Sequence, residues 1–142
     1  MWVRGAPLIG VTAAFGIACH MKNENSDAEL QRGYETLLSA RPTAVNLRFA
    51  LDKMLKALKV VPNSLRFQKG YQIANKLREN ELKISTNIGE FGSEIIKKLF
   101  EQKKRTINIL THCNAGWLAT VDFGTATAPI YCSQKKKRGR IK

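Results

Sequence analysis

A chain of 142 residues with 44% hydrophobic and 25% charged content has the size and make-up of an ordinary globular domain, which excludes a fibrous or wholly disordered protein. Lysine and arginine number 24 against 11 acidic residues, but six of the cations crowd into the last eight residues, "KKKRGRIK". Without that run the balance is 18 to 11, only moderately basic, and no zinc-finger, helix-turn-helix or aromatic RNA-binding signature accompanies it, so the run reads as a solvated tail and nucleic acid is not an expected partner.

Pro7 suits the first turn of a helix, and "PLIGVTAAFGIACHM" after it is apolar on all sides, as in a helix buried by its neighbours. A second helix is predicted over "SDAELQRGYETLLSA", opening on a Ser/Asp cap, placing Leu30, Tyr34, Leu37 and Leu38 on one side and stopping before Pro42. Thr43 is a cap candidate for the third, in which Leu47, Ala50, Leu51, Met54, Leu55 and Leu58 share one face. "VVPNS" ends it. A long stripe follows from Asn63 or Ser64 to about Phe100, through Ile73, Leu77, Ile84, Ile88, Phe91, Ile95 and Leu99, with a break expected near Gly89 or Gly92. Its interior glycines and uneven spacing argue against a coiled coil. The period then changes. Residues 106–111 are short and β-branched, as in a buried strand, and after Gly116 small residues return at helical spacing in a helix ending by Pro129. The fold class is therefore α/β: helices up to about residue 104, then a strand–loop–helix unit of the kind that opens a parallel sheet.

Cysteines at 19, 113 and 132 form neither a paired framework nor a CxxC, which points to a reducing, cytoplasmic setting. Neither histidine lies at ligand spacing from a second histidine or a cysteine pair, so no metal is expected. "MWVRGAPLIGVTAAFGIAC" loosely mimics a secretory leader, but Pro7, Gly10, Thr12 and Gly16 interrupt it, and a membrane span needs about 20 apolar residues. No membrane partner is expected.

Three short motifs carry chemistry. "GAPLIGVT" has the GxxxxG of a nucleotide loop but Val11 where the phosphate-binding lysine belongs, so that match fails. What remains is Arg4 directly before Gly5 and Ala6, a guanidinium beside open amides at a helix start, which suits an anion. Arg41, ahead of Pro42 and the third helix, repeats the arrangement. The plain reading of either arginine is a solvated side chain at a helix start; two in one small domain favour a phosphorylated ligand. The third motif is "THCNAG", at the carboxyl end of the predicted strand, where α/β folds commonly hold ligands. Cys113 beside His112 can act there as acid, base or nucleophile, Asn114 can bond a hydroxyl, and Gly116 permits close backbone approach. The competing reading is a buried filler thiol.

"VRGAPLIGVTAAFGIA", "RPTAVNLRFALDKM", "IGEFGSEII" and "ILTHCNAGWLATVDFGTATAPIY" together resemble, in order and spacing, the methylthioribose-1-phosphate isomerase family, over nearly everything from Val3 to Tyr131. That family is related to the regulatory subunits of a translation-initiation exchange factor and to ribose-1,5-bisphosphate isomerase. The resemblance implies an aldose–ketose isomerase of methionine salvage that uses no metal or organic cofactor. Arg4, Gly5 and Ala6 would line the site, Arg41 would bind the sugar phosphate, and Cys113 would be the catalytic thiol. It also implies a helical domain over 1–104, the start of a Rossmann-like domain over 105–134, a basic tail over 135–142, and a homodimer when complete.

The family extends further at both ends and carries a substrate-binding glutamine and a catalytic aspartate downstream. This chain is therefore expected to be a fragment, inactive alone unless a second polypeptide supplies the other half. It is also expected to be aggregation-prone through the open edges of its single strand. The alternative is a non-catalytic interaction module akin to the exchange-factor subunits. The intact "HCNAG" loop, generally lost in those subunits, favours the isomerase branch.

Overall fold

Pro7 has no N–H to leave unpaired, and helix α1 (Ala6–His20) begins around it, with Gly5 as an extended N-cap and no side-chain cap. As its all-round apolar sequence predicts, α1 is sunk among its neighbours, burying Ile9, Val11, Ala13, Ala14, Ile17 and Ala18. Helix α2 (Asp27–Ala40) starts at Ser26, whose Oγ accepts the Glu29 N–H at 3.2 Å, while Asp27 and Glu29 complement the positive end of the helix. Helix α3 (Val45–Lys59) buries Leu47, Ala50, Leu51, Met54 and Leu58. Thr43 does not cap it. Residues 41–44 form a turn closed by the Ala44 N–H on the Arg41 carbonyl at 3.0 Å, which makes Ala44 the N-cap and leaves α3 without a side-chain cap.

The computed structural model describes residues 2–136, and the chain divides into two compact units, residues 1–80 and 81–142. In the first unit α1 packs chiefly on α3. A Cβ at Gly10 would lie 2.7 Å from the Asn46 carbonyl oxygen, so only glycine admits this approach. Further along, Gly70 sits against both Ala18 and Met54. The contacts run in the same order along both helices, so the starts of α1 and α3 lie at one end of the pair. Ile17, Met21, Leu30, Leu51, Met54 and Leu58 form the fully buried centre, each contributing about 1.5–3 kcal/mol by leaving water.

A 3-10 turn (Asn63–Leu65) leads into α4 (Arg66–Lys103), which runs unbroken through Gly89 and Gly92. Those glycines mark close packing instead of a break: added Cβ atoms would meet Cys132 Sγ and Pro129 Cβ, each at 2.6 Å. In the second unit the inward face of α4 is accordingly Ser85, Gly89, Ser93 and Ile96, set against helix α5 (Ala128–Lys135) and its approach. The expected stripe holds for Leu77, which is buried, but Ile84, Ile88, Phe91 and Ile95 face outward at 40%, 37%, 74% and 61% exposure. Gly89→Ala and Gly92→Ala should each lower stability by about 1–3 kcal/mol through overpacking. At an exposed helical site the same change would raise it by about 1 kcal/mol. Urea denaturation reads the sign, and a gain in either variant would contradict the α5 packing.

The α/β expectation is met only in its helical part. Among the described residues there is no strand: over residues 106–111 only an isolated bridge forms, at the buried Ile107, and Leu110 is 97% exposed. One bridge is not a ladder, and without neighbouring strands to complete its backbone bonds this β-branched segment does not become a strand. Nor does a helix follow Gly116. A three-residue 3-10 turn (Gly116–Leu118) forms, an irregular stretch runs to Thr127, and α5 starts around Pro129 instead of ending there. The basic run 135–142 lies outside the described residues from 137 onward.

Candidate functional site

The first unit gathers the arginine motifs. Arg4 is exposed one residue before the N-cap of α1, with Gly5 buried behind it and Ala6 exposed at the helix start. Arg41, half-buried, closes α2 at φ −147°, its N–H on the Leu38 carbonyl at 3.3 Å, and leads into α3. Neither α1 nor α3 has an acidic residue in its first turn or a side-chain cap. Two positive helix ends and two guanidinium groups thus lie at the same end of the α1–α3 pair, and neither helix carries an acidic residue in its first turn. Elsewhere in this unit, Tyr34 Oη donates to Asp52 Oδ1 at 2.7 Å, and that hydrogen bond to the carboxylate raises the phenol above its ordinary range.

Cys113 belongs to the second unit. His112, Cys113 and Asn114 are all exposed, so the thiol is no core filler. Its backbone sits at φ +72°, the left-handed region that costs an ordinary side chain roughly 1–2 kcal/mol. Gly116 takes φ +70° three residues on, where its lack of a Cβ removes that cost. The following loop is tied to itself. Thr120 Oγ1 donates to the Gly116 carbonyl at 3.0 Å, and Asp122 Oδ1 accepts both the Trp117 indole N–H and the Phe123 N–H at 2.8 Å. Among the described residues no cluster of three His, Cys, Asp or Glu side chains could hold a metal, and no helix is long and apolar enough to cross a membrane.

The sequence reading missed two features. One is Arg66, 2% exposed at the head of α4. Its position on the Gly70–Ala74–Leu77 stripe, a charge on an apolar face, was the available signal. The other is a cleft beside Trp117 and Tyr131, residues too far apart in sequence for any period to link them.

A family model described as the initiation factor 2 subunit family matches residues 2–140. The chain belongs to that family. Within the initiation factor 2 subunit family its curated relatives include methylthioribose-1-phosphate isomerases from Paramagnetospirillum magneticum, 53% identical over 131 residues, and Rhizobium meliloti, 51% identical over 133. Each alignment covers 92% of this chain and 36% of the relative, so the chain spans about a third of the length of these relatives. Among solved structures of the family, 5-methylthioribose 1-phosphate isomerase from Pyrococcus horikoshii superposes with a TM-score of 0.82 at 33% identity, covering 98% of this chain and 39% of that one. Translation initiation factor eIF-2B subunit delta from A. fulgidus superposes at 0.79 with 31% identity, covering 99% and 41%.

Proposed function

We propose that this chain carries part of the active site of a methylthioribose-1-phosphate isomerase, which converts 5-methylthioribose 1-phosphate to 5-methylthioribulose 1-phosphate. The observation that carries the reading is identity of about half with isomerases of that name over 92% of the chain. The uncapped starts of α1 and α3, with Arg4 and Arg41 beside them, supply N–H donors and positive charge for the phosphate at C1, and Gly5 and Ala6 let the sugar approach the backbone. Cys113, held in an exposed, strained turn, is the thiol that serves the hydrogen shift between C1 and C2. Strained backbone of this kind clusters at functional sites, which favours catalysis over the filler reading. No cofactor enters this scheme.

The reading extends to domain organisation. Residues 1–104 form the helical domain, 105–134 open a Rossmann-like domain, and the extended segment 106–111 becomes a strand once neighbouring strands pair with it. The isomerase works in the cytoplasm, as a homodimer when complete, with the remaining two-thirds of the family's length supplying the rest of the site. The test is reconstitution. The chain is mixed with a recombinant piece of the Rhizobium meliloti isomerase covering the remainder of that protein, and ketose phosphate formation is followed. Turnover is expected from the mixture and not from either piece. Association without turnover would overturn the isomerase reading and favour the second one, a non-catalytic interaction module, which the likeness to the eIF-2B delta subunit supports.

A further inference from the structure

The second unit holds an open cleft of about 670 Å³, a volume that admits a small ligand, and no residue assigned to the isomerase reaction lines it. Its aromatic wall is fixed before anything enters. Trp117 and Tyr131 stack on one another, ring centroids 5.4 Å apart and planes 24° from parallel, yet they remain 63% and 39% exposed. Asp122 Oδ1 accepts both the Trp117 indole N–H and the Phe123 N–H at 2.8 Å, so one carboxylate holds two of the three aromatic residues in the lining. Charge enters from the helices. Lys135 ends α5, Lys136 follows it, and α4 contributes Glu90. Glu90 and Lys136 are paired and cancel, and among the described residues no acid pairs with Lys135. The described lining is therefore mostly apolar, flat on one side, and in excess by one positive charge.

We propose that this cleft binds a small planar aromatic carboxylate, its ring stacked on the Trp117–Tyr131 pair and its carboxylate on the Lys135 ammonium. The rings select the flat body, because an aromatic face gains most from a second aromatic face laid offset against it. The charge balance selects the anionic group. A carboxylate brings one negative charge, which Lys135 matches, whereas a phosphate dianion brings a second that nothing in the described lining neutralises. A cationic ring meets the ammonium unfavourably, and a neutral one makes no use of it. Preorganisation carries the rest: the Asp122 bonds hold the aromatic wall in place, so little ordering is left to oppose binding. The sugar phosphate of the isomerase reading is neither flat nor singly charged, so this site is distinct from that one.

The test is an NMR titration of 2-naphthoate with the full chain at neutral pH, followed by three analogues that each change one property. Binding is expected with a Kd of about 0.1–1 mM, as an open cleft and a ligand of this size allow. The uncharged 2-naphthamide should bind about fivefold more weakly, and the saturated decahydro-2-naphthoate about tenfold more weakly. 2-Naphthyl phosphate should bind no tighter than the carboxylate. Trp117→Ala should weaken 2-naphthoate about tenfold and Trp117→Phe much less, since a ring is kept. Lys135→Gln, an exposed change that leaves the packing alone, should weaken it about fivefold and abolish the preference over the amide. Circular dichroism of each variant is compared with that of the parent chain. No binding of 2-naphthoate at about 10 mM overturns the proposal. So does parent-like affinity in Lys135→Gln, or equal affinity for the amide or the saturated acid. Tighter binding of the phosphate overturns the carboxylate assignment. None of these outcomes bears on the isomerase reading, whose assay is separate.

Discussion

Cys113→Ser is expected to lower turnover of the reconstituted isomerase by about 10²–10⁴-fold, the range that a positioned acid or base contributes, with substrate binding little changed. Serine keeps the size and the donor but gives up its proton far less readily than a thiol. A second substitution separates chemistry from structure. At φ +72° an ordinary side chain is strained, and glycine is not. Cys113→Gly should therefore leave the chain as stable as before or more stable, by up to about 1 kcal/mol, while abolishing turnover. A thiol kept only for packing would show the reverse, a loss of stability with turnover intact. Urea denaturation and the reconstituted assay on the same preparations read both quantities. Unchanged turnover in Cys113→Ser removes the sulfur from the mechanism.

Arg66→Ala is expected to cost about 3 kcal/mol of stability. The guanidinium is almost wholly buried, and Nε donates to the Leu58 and Val61 carbonyls at 3.1 and 3.4 Å while Nη1 donates to the Asn25 carbonyl at 2.9 Å. Those carbonyls close the end of α3 and the approach to α2, and hydrogen bonds from a charged donor contribute roughly 1.5–3 kcal/mol each before non-additivity is counted. The ion pair with Asp27 is a smaller part. The Asp27 side chain is 78% exposed, so solvent screens it, and Asp27→Ala should cost no more than about 1 kcal/mol. Arg66→Lys should recover little, because one ammonium cannot reach three carbonyls spread over a planar fork. Thermal unfolding of the three variants orders them. A loss in Asp27→Ala equal to that in Arg66→Ala would mean that the ion pair, and not the carbonyl bonds, holds the corner together.

The helices of the first unit were legible because local chemistry and burial agree there. Pro7, Ser26 and the Leu47–Leu58 face each act over a single turn or a single helix, and α1, α2 and α3 form where those signals place them. The long fourth helix was legible in extent but not in facing. Its large apolar residues suggested an inward stripe, yet Gly89 and Gly92 let α5 approach so closely that the small residues turn inward and Ile84, Ile88, Phe91 and Ile95 turn out. Steric approach between two segments some 40 residues apart leaves no periodic trace.

Arg4, Arg41 and Cys113 were nameable from the sequence because each lies in a short motif whose chemistry is local: a guanidinium beside open amides, or a thiol beside a glycine turn. By itself the sequence also determined family membership, since the match runs through nearly the whole chain. Only the tertiary structure decided that α1 and α3 present their uncapped ends together, that Arg66 is a buried clamp, that Cys113 takes a left-handed backbone, and that Trp117 stacks on Tyr131. It also decided that residues 106–111 form no strand, only an isolated bridge at Ile107. The division has one physical reason. Caps, turns and helical faces are set by neighbours along the chain, whereas strand pairing, buried cations and ring stacking depend on partners that folding alone brings near.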